Sequence, residues 1–156
     1  MILRKVTPND MHAVHQLITE LAIFEKEPEA VATSPEELLR DGFSENPLFE
    51  ALVAEVDGQI LGMALYYPRY STWKGKTLHL EDLIVSAAHR GKGIGIALYQ
   101  AFLQEAAKQN VRRAEWVVLD WNQNAIDFYE KSGAVVLNDW KTVQMTNEQI
   151  KAFLKH

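Results

Sequence analysis

The chain has no cysteine. Disulfides, thiolate metal sites and an acyl-cysteine intermediate are therefore excluded together. No apolar run approaches the roughly 18 residues that a membrane-spanning helix needs. Arg4 and Lys5 interrupt the N-terminus before the apolar stretch of a secretory signal could develop. Positive charge is also in short supply: 16 Lys and Arg stand against 21 Asp and Glu, a formal charge of −5. Nucleic-acid binding needs a basic face to neutralise phosphates, so that class is disfavoured, whereas a small cationic ligand would be suited. Repeats, low-complexity tracts and linkers are missing too. The expectation is one compact cytoplasmic domain over residues 1–156, with neither membrane nor nucleic acid as partner; a 47% hydrophobic content is enough for a real core.

What is present reads as alternating strands and helices. "ILRKVT" alternates as a first strand. Thr7, Pro8 and Asp10 form a helix start, and Met11, Val14, Leu17, Ile18 and Leu21 continue at helical spacing to about Phe24. A capping box at Ser34-Pro35-Glu36-Glu37 opens a second helix that Gly42 stops. "FEALVAEV" and "QILGMALYY" are strands joined by the two-residue turn Asp57-Gly58. "KTLHLEDLIV" is a long strand whose far end is apolar on both faces, as in the middle of a sheet. A long helix follows through Ile94, Leu98, Ala101, Phe102 and Glu105. Then come a buried strand "AEWVVL", a helix ending at Gly133, and "WKTVQM" as the strand that closes the sheet. A capping box from Thr146 to Gln149 begins a short last helix. Hairpins mixed with crossovers imply a mixed sheet in an α/β chain.

Between the central strand and the long helix stands "RGKGIG", residues 90–95. It is not a Walker loop, because no Gly-Lys is followed by Ser or Thr. It is not a Rossmann fingerprint either, because the third glycine is replaced by Ile96 or Leu98, depending on the register. Arg90-x-x-Gly93-x-Gly95 still lets backbone amides approach a diphosphate at a helix N-terminus, with Arg90 and Lys92 as countercharge. The plain alternative is a tight strand-to-helix turn.

Arg90-x-x-Gly93-x-Gly95, followed by Asn122, Ala125, Phe128, Tyr129 and Gly133 of "DWNQNAIDFYEKSGA", resembles the GNAT acyl-CoA-dependent N-acetyltransferases. Over nearly the whole chain, "ELAIFEK", "DGFSENPLF", "LVAEV", "YSTWKG", "LEDLIV", "RGKGIG" and "VLDWNQNAIDFY" resemble the diamine acetyltransferase branch. "STWKG" and "VLDWN" lean toward its thialysine-type members. The resemblance implies the GNAT fold, a mostly antiparallel mixed sheet flanked by helices and splayed at the strand that binds acetyl-CoA. It also implies acetyl transfer to a small-molecule amine, with a homodimer as the assembly.

Carried onto this sequence, the resemblance puts acetyl-CoA on the backbone of Leu83 and Val85, on the loop Arg90, Gly91, Lys92, Gly93, Ile94 and Gly95, and on Asn122 and Ala125. Tyr129 is the expected acid to the leaving thiolate, against a plain packing role beside Phe128. Asn122 can contact the pantetheine arm, cap a helix, or do both. Glu81 and Asp82 stand mid-sheet, and strand alternation turns them to opposite faces, so one alone meets the amine. Glu81 is the chosen base, directly or through water; a salt-bridged structural acid is the alternative. Asp82, Glu25 and Trp73 are expected along the amine groove, Trp73 offering an aromatic face, although Glu25 also suits a solvated surface. His12 and His15 share a helix face, but no third ligand is evident and no metal is expected.

Overall fold

The structure, a computed structural model, describes residues 1–155. Its contacts divide the chain into two compact units, one over Met1–Val117 and one from Val118 onward. In the first unit, β1 (Ile2–Lys5), β2 (Glu50–Val56), β3 (Gln59–Ser71), β4 (Gly75–Val85) and β5 (Arg113–Glu115) form one sheet in sequence order. Every pairing is antiparallel except β4 with β5. The mixed α/β sheet expected from the sequence is present.

Two faces of this sheet carry two cores. Ala64, Tyr66, Leu78 and Leu80 pack against Ile94, Leu98 and Phe102 of α3 (Ile94–Lys108). Val53, Met63 and Ile84 pack against Met11, Val14 and Leu17 of α1 (Met11–Phe24) and Leu38 of α2 (Pro35–Gly42). Burying each large side chain stabilises the fold by roughly 1.5–3 kcal/mol. The β2–β3 turn uses Asp57 at φ 50° and Gly58 at φ 78°, the two left-handed positions that a twisted two-residue hairpin requires.

Thr7 begins one 3-10 turn over Pro8–Asp10 before α1 proper. The Asp10 carboxylate accepts from the Thr7 N–H at 2.7 Å and the Thr7 hydroxyl at 2.9 Å. Arg4 reaches the same carboxylate with two nitrogens, at 2.7 and 3.0 Å, and also pairs with Glu55. This clasp joins β1 and β2 to the start of α1. At α2 the Ser34 hydroxyl accepts from the Glu37 N–H at 3.1 Å.

β3 runs past its expected end. Its pairing with β2 stops at Tyr66 opposite Glu50, while its pairing with β4 continues to Ser71 opposite Gly75. Beyond Tyr66 the hairpin is therefore an arm with β2 on neither side.

In the second unit, α4 (Gln123–Lys131) is capped by Asn122, whose side-chain oxygen accepts from the Ala125 N–H at 3.3 Å. Gly133, at φ 97°, ends it, with Gly133 N–H on the Glu130 carbonyl and Ala134 N–H on that of Tyr129. Thr146 and Gln149 form the expected capping box of α5 (Asn147–Leu154).

Two expected strands need correction. Of "AEWVVL" only Ala114 and Glu115 pair, opposite Leu78 and His79, in a ladder that starts one residue earlier at Arg113. Trp116 then turns from the ladder to the rings of Tyr99 and Phe102, at 5.6 and 6.4 Å between centroids. "WKTVQM" forms no ladder among the described residues, and its Trp140, Val143 and Met145 are exposed. Apolar alternation is its only strand signal, and alternation marks a surface segment as readily as a ladder. Among the described residues no helix is long and apolar enough to cross a membrane.

Candidate active site

The central feature is an irregularity in β4. Tyr66 pairs with Leu80 and Leu65 pairs with Asp82, which leaves Glu81 as an extra residue. A bulge of this kind resets the alternation of side chains. Before it, Leu78 and Leu80 face α3; after it, Leu83 and Val85 do. Glu81 meets Tyr67 and His79 on the opposite face, and Asp82 shares the parity of Ile84, which packs toward α1. The expectation that Glu81 and Asp82 point to opposite faces is thus wrong. Both carboxylates open on the α1 face. The β4–β5 ladder ends at His79 opposite Glu115, just before the bulge.

The two acids sit in different surroundings. Glu81 accepts from the Tyr67 hydroxyl at 2.7 Å and lies 3.5 Å from His79 Nε2. His79, with help from Tyr67, holds it below the usual carboxylate range. Asp82 has lost most of its hydration, and desolvation, reinforced by the negative charges of Glu81 and Glu25, pushes it up to about 7. Burial also raises Glu25, at the end of α1. The Tyr67 hydroxyl is pushed up to about 12 by burial and by Glu81.

Trp73 does not join this group. It lies at the tip of the β3–β4 arm, 83% exposed. From Gly75 to Asp82 the strand covers roughly 23 Å at 3.3 Å per residue.

Beyond Val85 the chain enters the glycine loop. Gly91 (φ 77°) and Gly93 (φ 81°) are left-handed, and a Cβ built on either meets no protein atom within 4 Å. Gly93 is the N-cap of α3 and its carbonyl accepts the Ala97 N–H. The amides at the start of α3 thus have no intrahelical partner. Arg90 is held by its Nε–H on the Val85 carbonyl at 3.2 Å and by the Phe24 ring, 4.7 Å below its guanidinium carbon. A cleft of about 430 Å³ opens beside it, lined by Glu20, Ile23, Phe24, Ser86, Ala87 and Arg90. An open cradle of amides with Arg90 and Lys92 fits a diphosphate.

In the second unit Tyr129 is half-buried on α4, its ring 5.4 Å from that of Phe128. Asn122 caps α4 through its oxygen, which leaves its amide nitrogen as the group able to donate outward. On α1, His15 Nε2 lies 2.7 Å from the Thr33 carbonyl.

Sequence reasoning missed Tyr67, His79 and Glu115. A trace of them was available: His79 and Glu81 are two apart on one strand, so a regular strand already puts them on one face. Glu115 enters only through the β4–β5 register.

Residues 12–134 match the Acetyltransferase (GNAT) family. The chain is 35% identical over 162 residues to the thialysine N-epsilon-acetyltransferase of Bos taurus, covering 97% of this chain and 95% of that protein. It is also 35% identical to the spermidine/spermine N(1)-acetyltransferase-like protein 1 of Homo sapiens, over 95% of this chain and 23% of that one. Among solved structures, an integron cassette protein from the mobile metagenome of V. cholerae superposes with a TM-score of 0.80 at 24% identity, covering 99% of this chain and 98% of the other. With the glycine cradle and the acidic bulge in place, these similarities identify the chain as an N-acetyltransferase that belongs to the GNAT family, in its diamine acetyltransferase branch.

Proposed function

We propose that the enzyme moves the acetyl group of acetyl-CoA to the primary amine of a small cationic substrate, a thialysine-like amino acid, diamine or polyamine, by direct attack in a ternary complex. The observation that carries this reading is the convergence of Glu25, Glu81 and Asp82 at the bulge of the strand that leads into the glycine cradle. Acetyl-CoA, when bound, supplies a thioester carbonyl to be attacked and a thiolate to leave. Amides of Gly91, Gly93, Ile94 and Gly95, with Arg90 and Lys92, hold its diphosphate. The backbone of Leu83 and Val85, the Asn122 amide and Ala125 align the rest, and a backbone N–H polarises the carbonyl. Tyr129 would supply the proton to the departing sulfur as the carbon–nitrogen bond forms and the carbon–sulfur bond breaks, and the second proton shed by the acylated nitrogen would replace it. No metal is assigned.

Glu81 takes the ammonium proton, directly or through water. One observation favours a second reading of this step. Asp82 titrates near 7, the value suited to a base working at neutral pH, while Glu81 is held as a fixed negative charge. Trp73 keeps a substrate role in this proposal as an aromatic face offered from the arm tip.

We further propose one functional domain over residues 1–156, acting in the cytoplasm as a homodimer. The family match runs across the boundary of the two units, and Val135, Leu137, Trp140 and Val143 are exposed apolar side chains of the kind an assembly covers. Sedimentation of the purified enzyme tests the dimer.

The substrate class is tested by kcat/KM for lysine-like, thialysine-like and diamine substrates against a neutral-tailed monoamine. A doubly charged amine is expected to win by about tenfold, and the margin should shrink with added salt. Equal efficiencies that ignore salt would point instead to a peptide-directed enzyme.

A further inference from the structure

His79 is buried in β4, 8% exposed, with a carboxylate at each ring nitrogen. Nδ1 lies 3.3 Å from Glu115 Oε1 and Nε2 lies 3.5 Å from Glu81 Oε2. A neutral imidazole has one N–H and one lone pair, so one of these contacts would oppose lone pair to lone pair. The doubly protonated ring suits both. Tyr67 completes the arrangement, its ring 5.2 Å from the imidazole and its hydroxyl on the same Glu81 oxygen.

We propose that His79 is a positioning residue for the acetyl transfer: an imidazolium that ties Glu115 to Glu81 and keeps Glu81 charged and oriented at the amine. This rests on the reading that places Glu81 at the amine. It goes beyond that reading by naming what fixes the charge of the acidic pair.

The groups around His79 decide the sign of its effect. From β3 come Tyr67 and Arg69, from β5 come Arg113 and Glu115, and its own strand supplies Glu81 and Asp82. Glu25, the C-cap of α1, acts on Asp82. Arg69 at 2.6 Å and Arg113 at 3.1 Å already balance Glu115, so the imidazolium charge is left mainly to Glu81. Its two carboxylate partners also raise the affinity of His79 for its proton, Glu81 most. Without that charge Glu81 is faced by a hydroxyl alone. Glu81 then takes up a proton more readily, and its less compensated charge makes Asp82 do the same.

The test is the pH profile of kcat/KM for the amine in wild type, His79→Gln, Glu115→Gln and Glu81→Gln. His79→Gln keeps a donor but removes the charge, and its acid limb should move up by about half to one pH unit. At pH 7 its kcat/KM should fall about threefold to tenfold, with the KM for acetyl-CoA unchanged. Glu115→Gln should shift the limb in the same direction by less. Nuclear magnetic resonance of the His79 ring nitrogens in the wild type gives a second readout that survives any folding defect of the variants. Both nitrogens should be protonated on the acid side of the titration, and the titration should lie above the ordinary value of about 6.5. A limb that stays in place in His79→Gln while Glu81→Gln is impaired overturns the role of His79. A wild-type ring that titrates at or below the ordinary value does the same. An unimpaired Glu81→Gln would instead remove the placement of Glu81 at the amine.

Discussion

Glu81 and Asp82 are neighbours in the chain and share one face of the sheet, yet Glu81 is held charged while Asp82 holds its proton up to about pH 7. Two neighbouring carboxylates thus differ in charge near neutral pH: Glu81 is an anion, while Asp82 is close to its midpoint.

This difference has a cost in stability. The Asp82 pKa is raised above its unfolded value of about 3.9, so the unfolded chain ionises first, and stability is lost as pH rises from about 4 to about 7. Asp82→Asn should therefore gain on the order of 2 kcal/mol at pH 8 and little at pH 4. Thermal melts at the two pH values measure this. The same variant should lose at least tenfold in kcat/KM if Asp82 is the base.

At the glycine cradle, Gly93→Ala meets no protein atom but must hold an alanine at φ 81°. The fold should lose on the order of 1 kcal/mol. Titration calorimetry of coenzyme A should show affinity weaker by about tenfold or more if the proposed diphosphate position is right, because the methyl group would enter that space. Unchanged affinity would move the diphosphate elsewhere.

Tyr129→Phe keeps the ring against Phe128 and removes only the hydroxyl. A drop in kcat of roughly 10²-fold with coenzyme A affinity kept is the expected result. Turnover within about threefold of wild type would make Tyr129 a packing residue.

Far from the acids, Arg4→Met breaks the clasp on Asp10 and should destabilise the fold by about 2 kcal/mol near neutral pH. Arg4, aided by Thr7, depresses Asp10 to about 2. The clasp is thus fully in place above the unfolded value of about 3.9 and is lost as pH falls through about 2. Urea denaturation at pH 7 and pH 2 should show the gap between variant and wild type closing in acid.

The sequence made some of this architecture visible and concealed the rest for physical reasons. Asp57-Gly58, Ser34, Thr146 and Gly133 act through local backbone geometry, and each stands at the turn or cap its residue type favours. The glycine cradle was legible for the same reason. The bulge at Glu81 leaves no local trace, because an extra residue in a ladder is defined by the partner strand, here Leu65 and Tyr66. "AEWVVL" and "WKTVQM" misled because apolarity marks burial or exposure-prone patches as readily as it marks a ladder; Trp116 packs on rings instead of extending β5. The Glu115–His79 contact joins residues 36 apart in sequence, and only the pairing of β4 with β5 brings them together.

The β3 arm beyond Tyr66 has one further consequence. Its outer edge has no neighbouring strand from β2, and an open edge is a template on which other chains can add strands and grow into aggregates. Pro68 lies on that stretch, exposed and without an N–H to donate, and Arg69 follows with a charge. The arm can therefore project its rings at Tyr70 and Trp73 while its backbone discourages cross-β growth. Pro68→Val would restore the missing donor with a strand-forming side chain, and light scattering of concentrated samples should then rise with time where the wild type stays flat.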